Sequence, residues 1–269
     1  MKKLDAYCFC LVSCYTLLHM KSQETTYIYG TNVVMEAFKH TGRNVTNLWL
    51  DPKVQNPELV QLARSNNAQI HTLDEKKMKK HVNPELNHQG VIASVATKSL
   101  IMSYNEFIEK TEITEKTAIM ILGEIQDPQN VGAVIRSAAA FGISAVMIPQ
   151  HNQAPINGTV IKVSSGTAFT LPLVSIGNVN TVVEDLKKRG FWIYGLSSEG
   201  SHSIGHEGFE KPSAFIIGNE GEGLRAKTSE HCDILLKIPM KKKVESLNAA
   251  TAAGIVGYAW SSKHPGALD

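Results

Sequence analysis

The sequence predicts an α/β protein whose C-terminal half forms a mostly parallel β-sheet, preceded by a second, smaller α/β unit. After Thr117, short apolar segments alternate with helical patterns, which is typical of a sheet covered by helices on both faces. A polar stretch separates these segments from a smaller set of helical and extended patterns upstream. The 269 residues suffice for one large domain or two of ordinary size.

The C-terminal half supplies most of the predicted elements. Predicted strands cover residues 118–124, 145–148, 191–196, 214–217 and 234–238, and predicted helices cover residues 131–141, 179–189 and 247–260. Because these strands are short, apolar and separated by helices, we expect them to run parallel in one sheet.

The N-terminal half predicts helices over residues 32–40 and 57–65 and strands over residues 47–50, 70–73 and 90–96. We assign residues 25–98 to this small unit and residues 117–269 to the C-terminal domain. Residues 99–116 are polar, with glutamates at a spacing of three, and we interpret them as a helical linker.

Residues 1–24 precede the folded pattern. Two lysines and an apolar segment over residues 6–18 superficially resemble a signal peptide, but Asp5 lies at the boundary and no small-residue cleavage site follows. The segment is also too short to span a bilayer. Since Met20 could itself be a start codon, we interpret residues 1–24 as an over-called or dispensable extension. An organellar targeting segment, and then a secretion signal, are the alternatives.

Composition excludes several classes of protein. The hydrophobic fraction of 43% and charged fraction of 19% exclude a disordered or fibrous chain, and a net charge of +2 does not by itself indicate nucleic acid. The four cysteines (Cys8, Cys10, Cys14 and Cys232) have neither metal-ligand spacing nor a disulfide pattern. A reducing compartment, the cytoplasm, fits best, and no membrane partner is indicated.

Basic residues are concentrated in the N-terminal unit. Lys76, Lys77, Lys79, Lys80 and His81 form one run between predicted elements. Such a run is either an ordinary solvated face or a surface that neutralises phosphates without reading sequence.

Residues 123–142 place polar side chains on an otherwise apolar helix. A turn follows the strand at residues 127–128, and Asn130 is expected to cap the helix. An apolar helix is normally buried, and a buried guanidinium is costly without an anion. Arg136 therefore either pairs with an internal carboxylate such as Glu220 or binds a substrate phosphate.

Two further segments end strands with unusual residues. One strand enters Gly218, Asn219 and Glu220, and glycines at a strand's carboxyl end let a ligand contact the backbone, although a plain turn explains them equally. The other strand stops at Pro239, and a Lys-rich loop leads to a helix of Ala and Gly whose first turn is polar. That helix is either an N-capped core helix or part of a ligand cradle.

Together the three segments resemble the motifs of the SpoU (TrmH-like) RNA ribose methyltransferases of the SPOUT superfamily. The matching residues are N-x-G-x-x-x-R at Asn130, Gly132 and Arg136, G-N-E-G-x-G at residues 218–223, and I-P-M and S-L-N at residues 238–240 and 246–248. The N-terminal unit, which begins YIYGTNVVMEAF and ends NHQGVIASV, resembles the L30e-like substrate-binding domain of the ribosomal-RNA-type members. The resemblance extends from Tyr27 to Tyr258.

This resemblance implies a C-terminal trefoil knot, which is a rare exception to the rule against threaded chains. It also implies a homodimer whose contact lies near the cofactor site, and a reaction that needs no metal. The implied activity is transfer of a methyl group from S-adenosyl-L-methionine to a ribose 2′-hydroxyl in RNA, with a guanosine of large-subunit ribosomal RNA as the expected target.

The resemblance also implies a role for each motif residue. The implied cofactor-binding residues are Gly218, Asn219, Ile238, Met240 and Leu247. The implied catalytic residues are Arg136, Asn130, Glu220, Ser246 and Asn248. Because a guanidinium is a poor base, we expect Arg136 to position the RNA phosphate and stabilise charge, and the other four to orient Arg136, the loop and the nucleotide.

Two departures and three alternatives accompany the resemblance. Lysines occupy positions 241–243, where the family usually has a glycine, and two alanines replace the usual Val-Ser after Asn248. A transfer-RNA ribose methyltransferase and a catalytically silent RNA-binding member are the alternatives within the fold, and the retained polar motif residues favour an enzyme. A nucleotide-dependent enzyme of another α/β type would need a Rossmann or Walker fingerprint, and the sequence has neither.

Overall fold

A computed structural model describes residues 25–83, 87–96, 100–219, 221, 223–241 and 243–268, with the side chain of residue 43 left out. The N-terminal extension and its three cysteines, together with Glu220 and Lys242, therefore lie outside the described residues. The chain forms two compact units that divide between residues 99 and 100. Among the helices of the described ranges, none combines the length and apolar character of a membrane span.

The first unit is a four-stranded sheet with three helices. Its elements are β1 (Thr25–Tyr29), α1 (Thr31–Thr41), β2 (Val45–Leu50), α2 (Pro57–Ser65), β3 (Gln69–Thr72), α3 (Glu75–Met78) and β4 (Val91–Ala96). The strand order is β1-β4-β2-β3, with β4 antiparallel to β1 and β2 and with β3 parallel to β2. The predicted strands and helices of this unit are confirmed, whereas β1 and the short α3 were not predicted.

The second unit contains an eight-stranded sheet. Its strands are β5 (Ile101–Ser103), β6 (Ala118–Leu122), β7 (Ala145–Pro149), β8 (Leu173–Ile176), β9 (Trp192–Leu196), β10 (His202–Ser203), β11 (Ser213–Ile217) and β12 (Ile234–Lys237). Its helices are α4 (Tyr104–Lys110), α5 (Pro128–Ala140), α6 (Gly158–Val163), α7 (Val179–Lys188), α8 (Ala226–Glu230) and α9 (Ala249–Lys263).

All pairings in this sheet are parallel, in the order β10-β12-β9-β11-β6-β7-β8-β5, which confirms the predicted architecture. The five predicted strands are all present. Strands β5, β8 and β10 were missed because runs of two to four residues are too short to show a periodicity.

Helices cover both faces of the second sheet. Ile119 and Ile121 of β6 join Val183 of α7 in one buried apolar cluster. Met120, which lies between them, points to the other face, where its Cε would lie 3.3 Å from a Cβ built on Gly257 of α9. Every residue of β6 is buried, as expected for a parallel strand with helices on both sides.

The segment interpreted as a linker belongs instead to the second unit. Strand β5 pairs with β8, and Phe107 of α4 is buried in the same apolar cluster as α7. The hydroxyl of Tyr104 donates to Asp185 Oδ2 at 2.7 Å. The polar, glutamate-rich face of α4 is the solvent face of a packed helix, and the linker interpretation is wrong because the apolar anchor Phe107 was overlooked.

Candidate active site

The candidate site lies at the carboxyl edge of the second sheet. Gly218 follows β11 and Ile238 follows β12, and β9 lies between these two parallel strands. Because adjacent strands lie ~4.8 Å apart, the two strand ends are separated by about 10 Å. The two loops that the sequence assigns to cofactor binding therefore begin at the same edge of the sheet, one strand apart. This is the edge where open α/β sheets bind ligands.

Asn219 organises the loop that follows β11. Its backbone N–H and carbonyl are both bonded to those of Gly223, each at 3.0 Å. Its side-chain Oδ1 accepts from the N–H of Gly221 at 2.8 Å, and its Nδ2 donates to the carbonyl of Glu124 at 2.8 Å. Asn219 thus closes its own loop and ties it to the end of the neighbouring strand β6.

Gly218 can only be glycine in this loop. A Cβ at this position would lie 2.4 Å from the carbonyl carbon of Gly223, which is closer than any real contact. Gly223 itself adopts a φ of 69°, in the left-handed region that favours glycine. Since Glu220 lies outside the described residues, its pairing with Arg136 stays a prediction.

Asn248 links the third motif to the first. Helix α9 begins at Ala249 and not at residue 247 as predicted, and Asn248 is its N-cap. The Oδ1 of Asn248 accepts from two N–H groups in the first turn of α9, at 2.9 and 3.2 Å. Its Nδ2 donates to the Oδ1 of Asn130 at 2.8 Å.

Asn130 does not cap α5, contrary to the prediction. Asp127 is the N-cap, with its Oδ1 accepting from the N–H of Gln129 at 2.8 Å, and Pro128 occupies the first helical position. Asn130 therefore lies within the first turn, where its carboxamide faces the N-terminus of α9 and accepts the bond from Asn248.

Arg136 is exposed, so the predicted buried guanidinium is wrong. Helix α5 buries Val131, Val134 and Ile135, whereas Arg136 and Ala140 face solvent. Alanines lie on both sides of this helix, with Ala138 buried and Ala140 exposed, and they made the helix look apolar all round. Among the described residues Arg136 forms no ion pair, and a pairing with Glu220 or with an anion from outside the chain stays a prediction.

Helix α9 packs closely against α5. A Cβ on Gly254 would lie 3.5 Å from Ser137 Oγ, and a Cβ on Gly257 would lie 3.0 Å from Phe141 Cδ2. The small residues of α9 thus allow two helix backbones of the same chain to approach. Tyr258 remains 64% exposed and meets the ring of Phe141 edge-on, with centroids 6.0 Å apart.

The remaining predicted residues lie on the loop between β12 and α9. Ile238, Met240 and Leu247 are partly exposed, and Ser246 is exposed. Apolar side chains beside exposed peptide groups suit a ligand that combines a flat apolar ring with polar ends. The described residues contain no group of three His, Cys, Asp or Glu side chains that could hold a metal ion.

An open cleft of about 520 Å³ lies beside the predicted site and not within it. It is formed at the carboxyl ends of β6, β7, β8 and β11, and none of the nine predicted site residues that the structure describes lines it. Glu124, whose φ is 66°, forms an ion pair in this cleft with Arg225. This pair was not predicted from the sequence, although a carboxylate directly after a buried strand is a signal for a functional edge.

Shifted pKa values occur away from the candidate site. Burial raises the pKa of the Cys232 thiol to about 11. Burial, together with the nearby Glu207 carboxylate, also raises the pKa of the Tyr194 hydroxyl well above its ordinary value. Both groups are therefore protonated at neutral pH and have structural roles in the core.

Comparison with protein families decides the family of this chain. The family model described as SpoU rRNA Methylase family matches residues 117–258, and the one described as RNA 2'-O ribose methyltransferase substrate binding matches residues 27–100. The chain belongs to the SpoU rRNA methylase family. The resemblance seen in its three motifs and in its N-terminal unit is confirmed.

Curated relatives of this SpoU protein align over most of its length. It is 36% identical over 238 residues to the 23S rRNA (guanosine-2'-O-)-methyltransferase RlmB of Xanthomonas campestris pv. campestris, covering 87% of this chain and 95% of the relative. It is 32% identical over 240 residues to the putative TrmH family tRNA/rRNA methyltransferase YacO of Bacillus subtilis, covering 88% of this chain and 95% of the relative.

Solved structures share the fold. The SpoU methyltransferase AviRb from Streptomyces viridochromogenes, in complex with AdoMet, matches with a TM-score of 0.77 and 23% identity over 91% of this chain and 92% of that chain. An AdoMet-bound rRNA methyltransferase from Sinorhizobium meliloti matches with a TM-score of 0.71 and 19% identity over 91% of this chain and 90% of that chain. Both likenesses extend over both units of the protein.

Proposed function

We propose that this protein transfers a methyl group from S-adenosylmethionine to the 2′-hydroxyl of a guanosine in large-subunit ribosomal RNA. The observation that carries the proposal is the contact of Asn130 with Asn248, because it joins the helix bearing Arg136 to the loop that follows β12. The match to a 23S rRNA guanosine-2'-O-methyltransferase over 87% of the chain supports the choice of substrate.

Arg136 would bind the RNA phosphate next to the target ribose. Its guanidinium is exposed and carries no ion pair among the described residues, and a planar fork of donors matches two phosphate oxygens. Held there, the positive charge would stabilise negative charge that develops on the 2′-oxygen. The same side chain is a poor acceptor of the hydroxyl proton, because its pKa lies far above neutrality.

The other motif residues would position the reacting groups. Asn130 and Asn248 hold α5 and α9 together at their N-terminal ends. Ser246 is exposed and lies two residues before Asn248, and in this proposal Ser246 and Glu220 would contact the nucleotide. Bringing the ribose and the methyl donor into fixed contact is the main source of rate in such a transfer.

S-adenosylmethionine, when bound, would supply the methyl group on a positively charged sulfur. We assign its binding to Gly218 and Asn219 on one loop and to Ile238, Met240 and Leu247 on the other. The bonds of Asn219 to Gly221, Gly223 and Glu124 fix the first loop before any ligand arrives. A trefoil knot formed by the second loop is part of the same proposal.

The N-terminal unit, residues 25–98, would bind the RNA. Lys76, Lys77, Lys79 and Lys80 are all exposed along and just after α3. Lys77 lies 3.7 Å from Asp74, a long and solvent-exposed pair that leaves the run positively charged overall.

We also propose that two copies pair through the outer face of α9. Tyr258 is among the most exposed large apolar side chains of the described residues, and Thr251 and Ser262 continue the same helix face. This face lies beside α5, so pairing would bring a second copy near Arg136. Light scattering on the purified protein tests the proposal, and a Tyr258→Asp variant is expected to be monomeric.

The reaction is tested by incubating the protein with methyl-labelled S-adenosylmethionine and total RNA from a strain that lacks it, and then mapping the labelled ribose. A single 2′-O-methylguanosine in large-subunit ribosomal RNA is the expected result. Label in transfer RNA would show that the substrate is transfer RNA and not ribosomal RNA, while the proposed reaction would stand. Absence of both label and cofactor binding would leave a silent RNA-binding protein.

A further inference from the structure

The cleft beside the candidate active site lies where the order of strands reverses. From β6 the chain proceeds through β7 to β8 on one side, and it later returns to place β11 on the other side of β6. Crevices outside the carboxyl ends of strands at such a reversal are the usual ligand sites of open α/β sheets. The volume of about 520 Å³ falls in the range of about 300–1,000 Å³ that is typical of small-molecule sites.

Gly177 keeps this cleft open. It connects β8 to α7, and a Cβ built on it would have no heavy atom within 4 Å apart from its chain neighbours. Its φ lies outside the left-handed region, so the backbone does not require a glycine. The effect of glycine at position 177 is therefore to leave open space in front of the backbone. A larger residue at this position would occupy that space.

The cleft presents hydrogen-bond donors. Asn178 Oδ1 accepts from the N–H of Thr181 at 3.2 Å, and Asn180 Oδ1 accepts from the hydroxyl of Thr228 at 3.1 Å. With both oxygens engaged, each carboxamide turns its NH2 group away from these partners, and within the described residues neither NH2 group has an acceptor. Lys227, the residue before Thr228 on α8, adds an exposed side-chain ammonium group to the lining.

Among the described residues that line the cleft, positive charge exceeds negative charge. Within this described set Glu124 is the only carboxylate, and it is paired with Arg225. Lys227 has no ion pair within the described part of the chain, and His151 adds a further exposed ring nitrogen. A ligand of this cleft is therefore rich in acceptors and negatively charged, and Ile216 and Leu224 offer it an apolar wall.

We infer that this cleft binds one phosphate-bearing nucleotide of the RNA substrate, as a second contact separate from the site of methyl transfer. The inference rests on the proposed function for the identity of the RNA. The cleft lies on the face of the sheet that α7 covers, whereas Arg136 belongs to a helix on the other face. A nucleotide held here fixes the strand on one side of the sheet edge while the target ribose lies on the other.

The wall of the cleft also contacts the predicted cofactor loop. Glu124 lines the cleft through its side chain, and its backbone carbonyl accepts the bond from Asn219. Binding of RNA in the cleft therefore acts on the strand end to which the cofactor loop is tied.

Filling the cleft tests the inference. Gly177→Leu in the full chain adds a side chain whose Cβ enters open space, since no heavy atom apart from its chain neighbours lies within 4 Å of that Cβ. Gly205→Leu is the matched control, because Gly205 is exposed, has equally open surroundings and does not line the cleft. Both variants are first checked for native circular dichroism and unfolding temperature.

Gly177→Leu is expected to raise the KM for ribosomal RNA about tenfold, which corresponds to loss of about one charge-assisted contact, and to leave the affinity for S-adenosylmethionine unchanged. Gly205→Leu is expected to match the wild type. Asn180→Asp gives a second test, because aspartate has the same size and shape as asparagine. It keeps the acceptor for Thr228 and replaces the free NH2 group with an oxygen that repels a phosphate. Equal KM values for wild type, Gly177→Leu and Asn180→Asp would overturn the inference.

Direct binding separates this outcome from failure of the proposed function. The affinity for a fluorescein-labelled fragment of large-subunit ribosomal RNA is measured by anisotropy, which needs no methyl transfer. A wild type that binds this RNA but methylates none contradicts the proposed function, and weaker binding by Gly177→Leu still supports the cleft. Equilibrium dialysis with guanosine 5′-monophosphate tests whether the cleft binds a free nucleotide instead of a nucleotide of RNA. If the wild type binds guanosine 5′-monophosphate, and Gly177→Leu abolishes this binding but leaves the affinity for RNA unchanged, the cleft is a site for a free nucleotide. That result would overturn the inferred RNA contact.

Discussion

Asn248 and Asn130 face each other across 118 residues of sequence, with Asn248 Nδ2 donating to Asn130 Oδ1 at 2.8 Å. The Oδ1 of Asn248 is committed to the first turn of α9, so its NH2 group is directed towards α5. One side chain thereby caps a helix and fixes that helix against the one bearing Arg136. A carboxamide can do both because it carries an acceptor oxygen and a donor NH2 group on separate atoms.

Separating the two roles of Asn248 is the first prediction. Asn248→Asp keeps the capping oxygen but places a carboxylate oxygen opposite Asn130 Oδ1. We expect its free energy of unfolding to stay within about 0.5 kcal/mol of the wild type, while methyl transfer falls at least about tenfold. Asn248→Ala is expected to lose about 1–2 kcal/mol of stability as well, since it removes the cap.

The control for the lost cap lies in the other unit. Asn56 caps α2 through one bond to the N–H of Leu59 at 2.9 Å, far along the chain from the motifs. Asn56→Ala is expected to lose about 1 kcal/mol of stability with no change in kcat. Urea unfolding and methyl transfer are measured on all three variants. Equal activity of Asn248→Asp and wild type would show that the bond to Asn130 has no part in the reaction.

The sequence predicted the sheet and the motif loops, but not the contacts that join them. Strands β6, β7, β9, β11 and β12 were predictable because parallel strands buried on both faces are apolar throughout. The bond between Asn130 and Asn248 was not predictable, because the relative position of these residues depends on where α5 and α9 begin. The start of a helix shifts when a different polar residue provides its cap. Here Asp127 and Asn248 provide the caps, in place of Asn130 and Ser246.

The exposure of Arg136 was hidden for a different reason. Alanine occurs on both sides of α5, where Ala138 is buried and Ala140 is exposed, so the alanines of this helix do not reveal which side is buried. The cleft was equally hidden, since Gly177, Asn178 and Asn180 resemble an ordinary turn and helix cap in sequence. These residues can line a ligand site only because there is empty space in front of them. The packing of α7 and α8 around the strand ends creates that space.

Arg136 is the second subject of prediction. Because its side chain is exposed and has no ion pair among the described residues, Arg136→Ala is expected to change the free energy of unfolding by less than about 0.5 kcal/mol. Methyl transfer is expected to be lost, with the affinity for S-adenosylmethionine nearly intact. Arg136→Lys keeps the charge but not the planar fork, and we expect a partial loss of kcat. Arg64→Ala, at an exposed position on α2, is the matched control. Normal turnover by Arg136→Ala would remove this residue from the reaction.

The lysine run gives a prediction about salt. Changing Lys76, Lys77, Lys79 and Lys80 to Ala together is expected to weaken RNA binding and to reduce the slope of log affinity against log salt by about 0.7–0.9 for each lysine that contacts a phosphate. The matched control changes four exposed lysines elsewhere: Lys53, Lys116, Lys188 and Lys263. Affinity is measured by anisotropy over a range of salt concentrations. If both quadruple variants keep the wild-type slope, the run is only a solvated face.

Two glycines of α9 give a matched pair for the packing of this helix on α5. A Cβ on Gly254 would make an ordinary contact, 3.5 Å from Ser137 Oγ, and alanine favours a helix over glycine, so Gly254→Ala is expected to be neutral or to stabilise the fold by up to about 1 kcal/mol. Gly257 is tighter, because its Cβ would lie 3.0 Å from Phe141 and 3.3 Å from Met120. Gly257→Val is therefore expected to cost about 1–3 kcal/mol, measured by urea unfolding.

The same pair connects stability to activity. Overpacking at position 257 forces α9 away from α5, and the bond between Asn130 and Asn248 depends on the distance between these helices. We expect Gly257→Val to lose methyl transfer at temperatures where the protein is still folded, and Gly254→Ala to retain it. A Gly257→Val protein that is destabilised but fully active below its unfolding transition would show that the approach of the two helices serves stability alone.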